Sequence, residues 1–185
     1  FFEETSLIRL MNTVQTKPTE ILPDLIQSGL DIVFCGSAAS TVSSQKKSYY
    51  AGPGNKFWVI LFQVGLTPHQ FTPEEYEDLL LYKIGLTDMA KFVSGNDKSL
   101  RADSDNPDVL YQKIKRFQPK ILAFVGKRAA KVFFKEKFEF IEMSYGIQKQ
   151  CIDLTKLFVL PSPSGLARRY WDLVPWKMLA KRVQK

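Results

Sequence analysis

The side chains best suited to chemistry lie in short segments that each follow an apolar run: Gly36-Ser37-Ala38-Ala39-Ser40, Gly85-Leu86-Thr87-Asp88 and Pro161-Ser162-Pro163-Ser164-Gly165-Leu166-Ala167-Arg168-Arg169. Loops that leave the carboxyl ends of strands converge on one edge of an α/β sheet and build the ligand site there. The first segment offers small residues and backbone N–H groups suited to a flat ligand or an anion, or else a tight strand-to-helix turn. In the last, Pro161 and Pro163 limit flexing, Ser162 and Ser164 can donate to phosphate oxygens, Leu166 can wedge into a base stack, and Arg168 and Arg169 can anchor the loop. A plain Ser-Pro turn capped by Gly165 has the same composition. A further stretch, Tyr49-Tyr50-Ala51-Gly52-Pro53-Gly54-Asn55-Lys56-Phe57-Trp58, sets aromatic rings beside a glycine-bent loop and reads as a pocket wall.

Other chemistries are disfavoured by what is scarce. The cysteines are Cys35 and Cys151 alone, both in apolar stretches and read as buried thiols, so no disulfide framework or four-thiolate site can be assembled. His69 is the sole histidine, which excludes two-histidine metal motifs and argues against a Ser-His-Asp triad. Neither Gly52-Pro53-Gly54-Asn55-Lys56 nor Gly126-Lys127-Arg128 completes a P-loop, and no dinucleotide fingerprint follows a strand.

The elements that must position these groups follow from periodicity. Short, continuously apolar runs at residues 30–35, 84–87, 121–125 and 157–160 read as buried parallel strands, the second followed by a loop. They alternate with helical patterns at 56–64, 127–138 and near the C-terminus, while Pro73-Glu74-Glu75 and Asn106-Pro107-Asp108 read as helix first turns. This alternation predicts a three-layer α/β/α fold around a mostly parallel sheet. Residues 1–27 are expected to be an N-terminal extension packing on a single domain over 28–185, and residues 94–106 a polar surface loop. With 185 residues and 45% hydrophobic content, one well-buried core is expected.

The formal charge of +7 suggests a polyanionic partner, and its distribution is uneven. Acidic residues cluster at 74–78 and 103–108, whereas 113–137 and 168–185 are basic, so that one face can meet phosphates, unless these runs are simply solvated helix faces. No apolar run approaches the roughly 20 residues that cross a bilayer, and the first residues lack the pattern of a secretion signal. A soluble protein is expected, with its natural N-terminus upstream of Phe1.

Taken in order and spacing, Gly36 to Ser40, Tyr49 to Trp58, Gly85 to Asp88, Ala123-Phe124-Val125-Gly126-Lys127 and Leu160 to Arg168 resemble the mismatch-specific uracil-DNA glycosylases related to thymine-DNA glycosylase. The resemblance spans about residues 28–180, and Ala51-Gly52-Pro53-Gly54-Asn55 with Phe57-Trp58 is its most specific part. It implies a monomeric uracil-DNA glycosylase fold, a base flipped out of uracil-containing or mismatched DNA, hydrolysis of its N-glycosidic bond, and no metal or cofactor. It also implies a base-excision repair role, cytoplasmic in a prokaryote or nuclear in a eukaryote, with no membrane partner. Tyr50 stands where that family stacks a ring on the extruded base, or else is an ordinary core aromatic. Gly36, Ser37 and Ala38 would read the base's polar edge through their backbone. Asn55 fits a helix N-cap, with Phe57 and Trp58 packing the core.

One motif departs from the family. Well-known members carry Gly-Ile-Asn-Pro-Gly where this chain has Gly36-Ser37-Ala38-Ala39-Ser40, and the asparagine that orients their attacking water is here Ala38. Either activity is lost, leaving a non-catalytic DNA-binding or damage-sensing module, or another residue supplies the polar function. Asp88, expected at a strand's carboxyl end, is the candidate: a carboxylate there can orient and deprotonate water and stabilise positive charge on the sugar. The alternative is a cap on a turn at Met89-Ala90. Asp97 is a second, more exposed candidate, and a hydrolase of free nucleosides is a third functional reading.

Overall fold

The computed structural model describes residues 19–97, 99–140, 142–165 and 172–184. A five-stranded sheet runs β2-β1-β3-β5-β4, with β1 at Ile32–Ala39, β2 at Ile84–Ser94, β3 at Ile121–Val125, β4 at Gly146–Ile152 and β5 at Thr155–Leu160. The β2-β1-β3-β5 pairings are parallel, and β4 closes the edge antiparallel to β5. The sheet is the expected mostly parallel one, but β4 has no counterpart in the apolar runs. Its burial alternates along Gly146–Ile152, as an edge strand's does, so its sequence carries no continuous apolar signal.

Alternation along the strands divides the core. Ile32, Phe34, Ile84, Leu86, Ala123, Phe158 and Leu160 face one layer, packed under α2 (Phe57–Gln63), the 3-10 helix Pro73–Tyr82 and α5 (Val174–Val183). Val33, Cys35, Leu122, Phe124, Leu157 and Val159 face the other, under α3 (Pro107–Phe117) and α4 (Lys127–Phe138). Trp176 stacks on Phe34 at 5.7 Å between ring centroids, which fixes α5 against the centre of the sheet.

Local signals explain the helix ends. Asn106 accepts from the Val109 N–H and Pro107 occupies the first turn of α3, while Gln118 ends it in the left-handed region just before Pro119. At Pro73 the helix is 3-10, opened by a 2.7 Å bond from the Thr72 N–H to Glu75 Oε2.

The strands are longer than the apolar runs. β1 continues through Gly36, Ser37, Ala38 and Ala39, and β2 through Asp88 to Ser94, because each supplies the other's ladder: Gly36 pairs with Asp88 and Ala38 with Ala90. Two of the segments expected as post-strand loops, Gly36 to Ala39 and Gly85 to Asp88, are thus strand, with Asp88 inside β2, whereas residues 161–165 do follow β5 outside any strand. The expected buried thiol at Cys151 is also corrected: Cys35 is buried, whereas Cys151 is exposed on β4. Before β1, Leu25 makes an antiparallel bridge to Leu86 on the outer edge of β2. No described helix is long and apolar enough to cross a membrane.

Candidate active site

After β1 the chain turns into α1 (Thr41–Lys46), and β1 to β2 is bridged by helices on one face; after β3 it enters α4 on the other. Neighbouring strands whose connections leave in opposite directions open a crevice at their carboxyl ends. Here β1–β3 pairing stops at Cys35 opposite Phe124, while β1–β2 pairing runs on. Gly36 is the first residue beyond that divergence.

Asp88 shares the strand face of Ile84 and Leu86, and Gly36 that of Ile32 and Phe34. Their side-chain positions therefore fall on the same side of the sheet as α2. Gly36 has no side chain, and the carboxylate occupies the freed space: a Cβ added there would collide with Asp88 Oδ1 and stand 3.3 Å from Tyr50 Oη. Both oxygens thus lie within 3.3 Å of one point above β1.

Neither group is at ease there. Asp88 is only 6% exposed, and burial pushes its carboxyl up to about 7, against the pull of Lys91 and with the repulsion of Asp24. Burial, and then the Asp88 charge, hold the Tyr50 phenol far above its ordinary value, so it remains a neutral hydroxyl. Among the described residues, Tyr50 Oη is buried with no hydrogen-bond partner. A buried orphan of this kind demands an explanation, and it sits at φ 53, which a bulky residue adopts only when its surroundings insist.

The surroundings do insist. The Tyr50 ring lies on Phe57 at 3.8 Å and 18°, the closest aromatic stack among the described residues. The loop carrying it is pinned by the Ala51 N–H to Ser43 Oγ (3.0 Å), by Trp58 Nε1 to the Tyr49 carbonyl (3.2 Å) and by a turn closed from Asn55 N–H to Gly52 O (3.1 Å). Asn55 Oδ1 accepts from the Phe57 N–H at 3.0 Å at the start of α2, but the helix's N-cap is Lys56, one residue after the expected Asn55. Phe57 and Trp58 are core residues.

The Ser-Pro segment docks on this loop. The Lys56 N–H donates to Pro163 O at 2.9 Å, and a Cβ on Gly165 would stand 3.3 Å from Gly54 O, an approach that leaves little room for a side chain. Ser162 Oγ accepts from the Ser164 N–H at 3.3 Å, a local turn, and a Cβ on Gly126 would be 3.5 Å from Ser162 Cβ. Ser162, Ser164 and Gly165 are thereby placed beside the Tyr50 loop. Leu166, Arg168 and Arg169, expected on the same segment, lie outside the described residues.

One candidate stands apart, as does the single histidine. Asp97 is exposed, and His69 is a surface residue, 62% exposed and 3.9 Å from Glu75.

Behind Asp88 lies a charge network that the sequence reading missed. Lys91, 5% exposed, bonds Leu22 O at 2.5 Å, Tyr49 Oη at 3.3 Å and Asp24 Oδ1 at 2.7 Å. Asp24 also accepts from Thr87 Oγ1 at 2.7 Å and from Lys113. Burial alone would raise the Asp24 carboxyl, but Lys91 and these bonds bring it below its ordinary value. The available signal was a lysine inside the otherwise apolar run Met89-Ala90-Lys91-Phe92-Val93.

Part of the expected phosphate-facing basic run is also spoken for. Arg128 holds the buried Asp105 through paired bonds of 2.9 and 2.8 Å, and Lys137 pairs with Asp108. Acidic and basic runs meet each other across α3 and α4.

Residues 23–181 match the family model of the uracil DNA glycosylase superfamily. The solution structure of a candidate uracil DNA glycosylase from Methanosarcina acetivorans superposes with a TM-score of 0.64, at 21% identity, over 91% of this chain and 99% of that one. That likeness establishes the shared architecture. With the match running over most of the chain, this protein belongs to the uracil DNA glycosylase superfamily, whose members act on DNA.

Proposed function

We propose that the protein is a monofunctional uracil-DNA glycosylase, hydrolysing the bond between uracil, mismatched or not, and deoxyribose to leave an abasic site. The observation that carries this reading is the buried carboxylate of Asp88, held over side-chain-free Gly36 beside an orphaned hydroxyl. Ala38, aligned with Ala90, brings no polar side chain to the crevice.

Asp88 takes over the work of the absent asparagine. Ionised, it accepts a proton from water, and its charge favours the cationic sugar that develops as the base departs; both effects gain strength in a dry site. The backbone of Gly36, Ser37 and Ala38 borders the base, and the Tyr50 ring flanks it with its face opposite Phe57. Ser162, Ser164 and Gly165 follow the DNA backbone, Leu166 fills the gap left by the flipped nucleotide, and Arg168 and Arg169 anchor phosphates. The protein acts as a monomer.

The test is incubation with uracil-containing duplexes, paired and mismatched, and with single strands, followed by alkaline cleavage. Abasic product is expected. None from any uracil context ends the proposal.

Ala38 itself favours a second reading, a DNA-binding module without turnover. Salt-dependent DNA binding is common to both, so only product formation separates them.

A further inference from the structure

We propose that Tyr50 Oη is the second hydrogen-bonding partner of the attacking water, which Asp88 and Tyr50 together hold above Gly36. The inference rests on the glycosylase reading and deepens it by naming what, besides Asp88, replaces a water-orienting side chain at position 38.

The geometry is specific. A single carboxylate leaves a water free to swing about one hydrogen bond, which spoils its aim. Tyr50 Oη and Asp88 Oδ1 lie within 3.3 Å of one point above Gly36, so the two oxygens flank the same position. The hydroxyl is buried and has no partner among the described residues, although the ring that carries it is fixed by the Phe57 stack at 3.8 Å and by a left-handed backbone at φ 53. A core tyrosine with no task would be expected to bond its hydroxyl or surrender it to phenylalanine.

The step balances without another reactant. The water donates one hydrogen to Asp88 and the other to Tyr50 Oη, and turns a lone pair toward C1′ of the deoxyribose. The O–C1′ bond forms as the bond from C1′ to the base nitrogen breaks, and its electron pair leaves on the uracil ring. The proton shared with Asp88 transfers to the carboxylate, which later returns it to the uracil anion or to solvent. Tyr50 keeps its own proton throughout.

Tyr50→Phe tests this, because it retains the ring and the Phe57 stack and removes only the oxygen. Under single-turnover conditions on a uracil duplex, the rate at saturation is expected to fall about 10- to 100-fold. Half-saturation and DNA affinity should stay within about twofold, the signature of a contact made in the transition state. A wild-type rate in the variant overturns the proposal, as does a loss confined to half-saturation or DNA affinity, which would assign the hydroxyl to binding. In Asp88→Asn/Tyr50→Phe, the second change should cost less than it does alone, since both groups act on one water; full additivity also overturns it. Failure of the glycosylase reading looks different: the wild-type protein itself then releases no uracil.

Discussion

Asp88 and Gly36 are partners on adjacent parallel strands, and the side chain that Gly36 lacks leaves the space its partner's carboxylate fills. Neither residue makes the site alone. The register of β1 against β2 brings them level, and β1–β3 pairing ends at Cys35, one residue before Gly36.

Gly36→Ala is therefore expected to damage function more than folding. The added methyl meets the end of a side chain that can rotate, so the stability cost should be about 1–2 kcal/mol by chemical denaturation. The carboxylate, however, is driven from its position, and glycosylase turnover should fall about 100-fold or more. A variant with wild-type turnover would separate Asp88 from the mechanism.

Asp88→Asn is expected to lower turnover about 10²–10⁴-fold. In the wild type, kcat/KM should rise with pH through about 7, where the carboxyl ionises. Stability should move the other way. Burial raises the folded-state pKa from 3.8 to about 7, so the native protein holds this proton more tightly than the unfolded chain. The resulting contribution is complete below about pH 4 and is lost as pH rises through the folded value. Relative to the wild type, the Asn variant should gain on the order of 2–4 kcal/mol between about pH 4 and pH 8 in urea titrations. A flat difference would contradict a buried, titrating Asp88.

Lys91→Met removes the cation shared by Asp24, Tyr49 and the Leu22 carbonyl. Leaving Asp24 with a missing partner should cost about 3 kcal/mol. Because Lys91 holds the Asp88 carboxyl down, its loss should also move the pH–activity rise upward. An unchanged midpoint would show that the network serves folding alone.

Arg128→Met tests the assignment of the basic surface. Asp105, its side chain 1% exposed, loses its paired bonds, and destabilisation of about 3 kcal/mol is expected. An arginine committed to a carboxylate contributes no phosphate contact, so the salt dependence of DNA binding should keep its slope. A slope reduced by about one would return Arg128 to the DNA interface.

Much of the architecture is legible in the chain because parallel strands buried on both faces must be continuously apolar, as Ile121–Val125 is, and because helix ends carry local chemistry, as Asn106-Pro107 does. Other features leave no local trace. β4 is half exposed, and the polar or small residues of Gly36-Ser37-Ala38 and Thr87-Asp88 become strand only by pairing with one another. The exposure of Cys151 follows from its place on an edge strand and not from its neighbours in sequence.

The candidate site divides along the same line. Sequence alone determined which groups are present: an aspartate after an apolar run, aromatics on a glycine-bent loop, and at position 38 an alanine with no polar side chain. Tertiary structure decided what they do to each other. Strand register seats Asp88 over Gly36, the Phe57 stack aims the Tyr50 hydroxyl at the same point, and burial raises the carboxyl toward neutrality, since proximity and desolvation arise only when distant segments pack together.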